Sequence, residues 1–185
     1  MKLIEKEIIM DKEEIERTLL RLTHEILERN KGIKDLVLIG IRTGGVYLAE
    51  RMRAKIIAIE KAQVPLGIID ITLYRDDFAT GLPRPLVGKT EIPFPLKDKK
   101  VILIDDVLYT GRTVRAAMDA LIDFGRPQFI QLAVLIDRGH RELPIQADYV
   151  GKKVTTLPEE DVQVYFREAG EEDRAVIRLR VPSKH

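Results

Sequence analysis

The chain has 185 residues and a formal net charge of +1, so no global field draws it to nucleic acid or a membrane, and any such role must rest on a local patch. Hydrophobic residues at 45% and charged residues at 33% exclude a disordered polymer, and the length suits one well-buried domain over residues 1–185. With no cysteine, disulfides and thiolate metal sites are excluded, and with no apolar run near the ~20 residues that span a bilayer and no signal peptide, a cytoplasmic, non-membrane protein is expected.

Asp11 and Glu14 have the spacing of a capping box, and Ile15, Leu19, Leu22 and Ile26 follow at helical intervals, so a helix is predicted from Asp11 with Gly32 as its terminator. "LVLIGI" (36 to 41) is an uninterrupted apolar run of the kind buried on both faces of a parallel sheet. "RTGG" follows it directly, before the helical-looking "VYLAERMRAK". "GIIDITLY" (67 to 74) reads as a strand, and the Pro-rich stretch Arg75 to Lys97 as a long loop without periodicity, which in a compact domain suits a lid. "VILID" (101 to 105) is a strand, Thr113 to Phe124 a helix, and "FIQLAVLID" (129 to 137) a further strand. The tail offers two alternating segments, "VQVYF" (162 to 166) and "AVIRLRV" (175 to 181), which read as a hairpin.

Strands alternating with helices imply a mainly parallel sheet, and such sheets bind ligands at the carboxyl ends of their strands. Arg42 to Gly45, Asp105 to Thr113 and Asp137 to Arg141 each follow one of these strands. Thr110, Gly111, Arg112 and Thr113 precede a helix, where backbone N–H groups and the positive end of the helix dipole favour a phosphate. Alone, such a turn is as well explained by an ordinary helix start. Asp105 and Asp106 stand about five residues earlier, where carboxylates can accept from ribose hydroxyls while the turn holds the 5′ phosphate. A bare Mg²⁺ site or two solvated acids are the other readings of that pair.

The segment Val101 to Thr113 resembles the phosphoribosyl pyrophosphate (PRPP) motif of type I phosphoribosyltransferases. "LIGIRTGGVYLA" (38 to 49), "DITLYRDD" (70 to 77), "DDVLYTGRTVRAAMDAL" (105 to 121) and "LIDRGHRELPIQADYVGK" (135 to 152) narrow the resemblance to the pyrimidine (pyr) operon attenuation regulators, which bind RNA and also have uracil phosphoribosyltransferase activity. The resemblance implies an α/β fold with a mainly parallel twisted sheet flanked by helices, a mobile loop at about 75–97, a small hood from about 138–170 and a C-terminal β-hairpin. The implied reaction is uracil plus PRPP giving UMP and diphosphate, with Mg²⁺ carried by PRPP and touching Asp105 and Asp106. Asp105 and Asp106 would hold the ribose, and Val107, Leu108, Tyr109, Thr110, Gly111, Arg112 and Thr113 the 5′ phosphate. Arg42 and Thr43 match the pyrophosphate loop, whose peptide bond is often cis in the family. Many relatives carry a basic residue where this chain has Gly44. Arg75 and Arg84 are the candidates for reaching the pyrophosphate, and Arg138 and Val162 those for flanking the base.

Arg17, Arg21 and His24 share the helix face opposite Ile15 and Leu19, and with Arg141, Lys152 and Lys153 they make a candidate RNA surface. Glu16, Glu25 and Glu28 on the same helix make a solvated mixed-charge face the default reading, and it is the resemblance that implies RNA. It further implies binding to pyr operon leader mRNA under the control of UMP or UTP, and a homodimer that pairs into tetramers in some relatives. The alternative is a purely metabolic uracil or purine phosphoribosyltransferase.

Overall fold

The computed structural model describes residues 2–72 and 89–181. Its elements run β1 (Lys2–Met10), α1 (Lys12–Asn30), β2 (Leu36–Ile41), α2 (Gly44–Glu60), β3 (Leu66–Ile69), β4 (Lys100–Leu108), α3 (Arg112–Ile122), β5 (Phe129–Asp137), β6 (Tyr149–Lys153), β7 (Glu160–Tyr165) and β8 (Arg174–Val181). A five-stranded parallel sheet has the order β3-β2-β4-β5-β6, and a three-stranded antiparallel sheet the order β1-β8-β7.

Residues alternating along each parallel strand feed two cores. Leu36 and Leu38 of β2 and Ile102 and Ile104 of β4 face α1, α2 and the small sheet. Val37, Ile39 and Ile41, with Val101 and Leu103, face α3. Both faces are therefore covered, which is why these strands read as continuous apolar runs. On α1, Ile15, Leu19, Leu22 and Ile26 are buried, each contributing about 1.5–3 kcal/mol of transfer free energy. Its N-terminus carries the full capping box: Glu14 N–H donates to Asp11 Oδ1 at 2.8 Å and Asp11 N–H to Glu14 Oε2 at 2.9 Å. The helix stops at Lys31, whose left-handed backbone (φ 56°) precedes Gly32.

Five local expectations change. β1 was not foreseen, because Lys2, Glu5, Lys6 and Glu7 interrupt its apolar residues; what makes it a strand is pairing with β8 at the other end of the chain. β6 is a short edge strand on β5. The strand expected over 67–74 ends at Ile69, because Asp70 Oδ1 accepts from Thr72 N–H at 2.8 Å and turns the chain; the rest of it, 73–74, lies outside the described residues. β4 runs three residues beyond the expected end at Asp105, so Asp106 too sits within the strand and not in the loop after it. Of the expected loop, residues 75–88 lie outside the described ones, while 89–97 return along β3, with Glu91 bridged to Ile68 and Leu96 buried in the core.

Candidate active site

From β2 the chain continues to β3 on one side of the sheet, and from β4 to β5 and β6 on the other. The carboxyl ends of β2 and β4 thus diverge at a topological switch point, where open α/β sheets bind ligands. A cavity of about 440 Å³ opens there. One wall is Ile41 to Gly44, between β2 and α2; a second is Asp105, Asp106 and Val107 of β4 with Thr113 of α3. The roof comes from the other sheet: Gln163 to Phe166, Ala169 and Glu171.

The Arg42–Thr43 peptide bond is cis. Arg42 Nη2 donates to the Lys89 carbonyl at 2.9 Å, and its Nε lies 3.8 Å from Asp70 Oδ2. Arg42 thereby joins the two described ends flanking 73–88. Gly44 meets the acid pair so closely that a Cβ there would sit 2.3 Å from Asp106 Oδ2. Gly45 is equally confined, its notional Cβ lying 2.2 Å from the Ile104 carbonyl oxygen. A basic side chain at 44 is thus incompatible with the present seat of Asp106.

Asp105 is 6% exposed and accepts the Asp106 N–H at 2.9 Å, while Asp106 Oδ1 accepts the Val107 N–H at 2.9 Å. Burial, reinforced by the neighbouring Asp106 charge, pushes the Asp105 carboxyl well above the ordinary carboxylate range; burial also raises Asp106. Two acids held close in a half-dry cavity favour a cation or a hydroxyl donor between them.

The turn after β4 hands over to α3 through Gly111, whose φ of 92° is left-handed. Arg112 N–H donates to Thr110 Oγ1 at 3.3 Å, and the Thr110 carbonyl accepts from Glu142 and Leu143 N–H at 2.9 and 3.2 Å. The first N–H groups of α3 have no acceptor within the helix, and Thr113 of its first turn lines the cavity. Tyr109 is exposed at the head of this turn, with the Arg138 guanidinium 4.0 Å above its ring and His140 edge-on at 5.9 Å.

The structure brings Arg42, Thr43, Asp105, Asp106, Val107 and Thr113 together around the cavity, with Leu108 to Arg112 in the adjoining turn. Arg75 and Arg84 lie outside the described residues. Arg138 and Val162 do not line the cavity. Arg138 is buried, donating from Nε to Thr156 Oγ1 at 3.2 Å and from Nη2 to the Glu160 carbonyl at 2.7 Å, and Val162 packs in the core. The roof residues that do line it, Gln163 to Phe166, Ala169 and Glu171 with Tyr47 below, were missed. Its one sequence signal is the alternation of "VQVYF", which marks a strand without saying what it covers.

On the outer surface Arg17, Arg21 and His24 are exposed on α1, which packs across β6. Arg21 Nη2 donates to the Gly151 carbonyl at 2.7 Å and its Nη1 to Glu25 at 2.7 Å; Lys152 Nζ donates to the Ile9 carbonyl at 2.6 Å. Arg141 is placed differently, at the active-site end. Its guanidinium holds both Asp137 carboxylate oxygens at 2.7 Å, the Ile145 carbonyl at 2.9 Å and the Tyr109 carbonyl, so contact with an RNA phosphate would compete with these bonds.

Residues 6–168 match the phosphoribosyl transferase domain family. A bifunctional protein PyrR of Pelotomaculum thermopropionicum is 60% identical over 94% of this chain and 96% of its own length, and that of Geobacter sulfurreducens is 60% identical over 86% and 90%. The chain belongs to the phosphoribosyl transferase family, among the bifunctional PyrR proteins. A hypoxanthine phosphoribosyltransferase structure from Staphylococcus aureus superposes with a TM-score of 0.68 at 23% identity, covering 93% of this chain and 92% of that one. That likeness is one of fold: the type I phosphoribosyltransferase sheet, its flanking helices and the hairpin sheet above it. Among the described residues no helix is long and apolar enough to cross a membrane.

Proposed function

We propose that the protein transfers the phosphoribosyl group of PRPP to uracil, giving UMP and diphosphate, and that it also binds pyr operon leader mRNA in response to UMP, attenuating expression of that operon from within the cytoplasm. The carrying observation is the convergence of the Asp105–Asp106 pair, the Arg42–Gly44 loop and the start of α3 on one cavity, together with the PyrR names of relatives at 60% identity.

The chemistry follows from charge. As the bond between C1′ and the diphosphate oxygen lengthens, the ribose becomes cationic and the leaving group gains negative charge, so fixed charges and dipoles dominate the barrier. Asp105 and Asp106 accept from the ribose hydroxyls and favour the developing positive charge. The N-terminus of α3, with Thr110 and Thr113, holds the 5′ phosphate. Arg42 and the backbone at Thr43 and Gly44 receive the diphosphate. Uracil enters under the Gln163–Phe166 roof, its N1 bonds to C1′, and the N1 proton leaves to solvent.

The donor set suits Mg²⁺ carried by PRPP: two carboxylates offer hard oxygen ligands, and no group of three or more His, Cys, Asp or Glu residues stands ready as a metal cage among the described residues. Asp105 and Asp106 would hold such an ion, which would supply neutralising charge to the diphosphate. Arg75 and Arg84 remain the candidates to approach the diphosphate, and Arg138 acts on the base side through Tyr109, against which it stacks.

The RNA surface is assigned to Arg17, Arg21, His24 and Lys152 around the crossing of α1 and β6, with phosphate contacts supplying affinity and unpaired bases specificity. Titration of the protein with its own pyr leader RNA at fixed salt, with and without UMP, alongside a base panel of uracil and hypoxanthine, tests both halves. UMP-tightened binding and uracil-specific turnover are expected. Turnover without specific RNA binding would leave a metabolic enzyme.

A further inference from the structure

The roof over the cavity is not held by the sheet that supplies it alone. Arg51, in the second turn of α2 beyond the pyrophosphate loop, is buried at 6% side-chain exposure and reaches across to it. Its Nε donates to Glu168 Oε1 at 2.8 Å and its Nη2 to Glu168 Oε2 at 2.6 Å, a two-pronged pair. The same Nη2 donates to Asp173 Oδ1 at 2.7 Å, an oxygen that also accepts the Arg167 N–H at 2.9 Å. The guanidinium lies 5.6 Å from the centre of the Phe166 ring, and that ring stands 5.4 Å from Tyr47; both aromatic residues line the cavity, as do Ala169 and Glu171. Nη1 lies 3.5 Å from Glu16 of α1. A cation this deeply placed is costly to desolvate, and neither the sheet nor the helix needs it for its own hydrogen bonds.

We propose that Arg51, gripped by Glu168 and Asp173, is a positioning residue that sets the height of the roof segment Phe166–Asp173 above the acid pair and so determines how well the acceptor base is held. α2 begins at the pyrophosphate loop, and Arg51 fastens the roof to that same rigid rod. The two ends of the reacting system, leaving group and acceptor, are thereby registered against one helix. This rests on the transferase reading of the cavity. It adds that the acceptor side is tuned by a cluster touching neither substrate.

Glu168→Gln tests it, because Glu168 is partly exposed and its loss leaves Asp173 to neutralise Arg51. The KM for uracil should rise about tenfold, the loss of one charge-assisted pair, while the KM for PRPP, kcat and Tm stay close to wild type. Amide hydrogen exchange of the ligand-free protein should quicken at 167–173 and stay unchanged in β4. Arg51→Lys keeps the charge, loses the fork and should reproduce the KM split. An unchanged uracil KM, or equal rises in both KM values in step with a fallen Tm, overturns the proposal and leaves the cluster purely structural. Should the wild-type protein form no UMP, the transferase reading fails separately, and the exchange measurement decides alone: no quickening at 167–173 in Glu168→Gln overturns the inference.

Discussion

Asp105 carries a stability cost, because its carboxyl is buried beside that of Asp106. Its folded carboxyl titrates above the unfolded value near 4, so between those two pH values the native state binds more protons than the unfolded one, and stability falls as pH rises. Asp105→Asn removes that loss. Thermal melts should show the variant more stable at pH 7, by roughly 2–4 °C for each kcal/mol regained, with the difference closing as pH falls toward 4. Activity should move the other way, since Asp105→Asn combined with Asp106→Asn is expected to abolish UMP formation; retained turnover would refute the site. Gly44 offers a second test at the same scale. A methyl group there would displace the Asp106 carboxylate, and a shift of about 1 Å in such a group costs on the order of 10²-fold, so kcat/KM for PRPP should drop by about that factor in Gly44→Ala. The acid pair was legible in the sequence because its neighbours are local: an apolar run before, a Thr-Gly turn after. The close approach of Gly44 to Asp106 was not, because it joins residues 62 positions apart in the chain, across two parallel strands.

Among the elements, those written in local pattern were readable and those made by distant pairing were not. α1 shows its cap, stripe and stop in order, and β2 and β5 occupy the predicted residues. β1 carries Lys and Glu, and β6 Gly and two Lys, at positions a free-standing strand would avoid, and only their neighbours make them strands. The outward face of α1 is where the RNA reading can be tested without disturbing the cavity. Arg17→Ala should weaken leader binding and reduce the slope of log K against log salt by about 0.7, the share of one phosphate contact on a single strand, while uracil turnover is unchanged. An unaltered slope would remove Arg17 from the surface. Arg141→Ala should behave in the opposite way. Its guanidinium fastens Asp137 and the Tyr109 carbonyl beside the phosphate turn, so the KM for PRPP is expected to rise.

For the whole molecule, composition alone pointed to a folded globular protein, and the alternation of strand and helix to an α/β fold, its parallel sheet and the end of it that binds. The roof stayed hidden because it belongs to a second sheet, brought over the first by packing of Val162, Val164 and Phe166 into the core shared with α1 and α2. The expected homodimer is checked by light scattering, which should return at least twice the 21.2 kDa chain mass; a monomer would set that expectation aside.

The small sheet has β1 at one edge, β8 at its centre and β7 at the other. Its middle strand is made after both of its partners, and each of them must wait for it. On the ribosome the parallel sheet, the acid pair and the phosphate turn can assemble early, but β7 has nothing to lie against until β8 emerges. A nascent chain would therefore hold the cavity open to water and without its cover. The cover over the cavity arrives only once β8 has emerged.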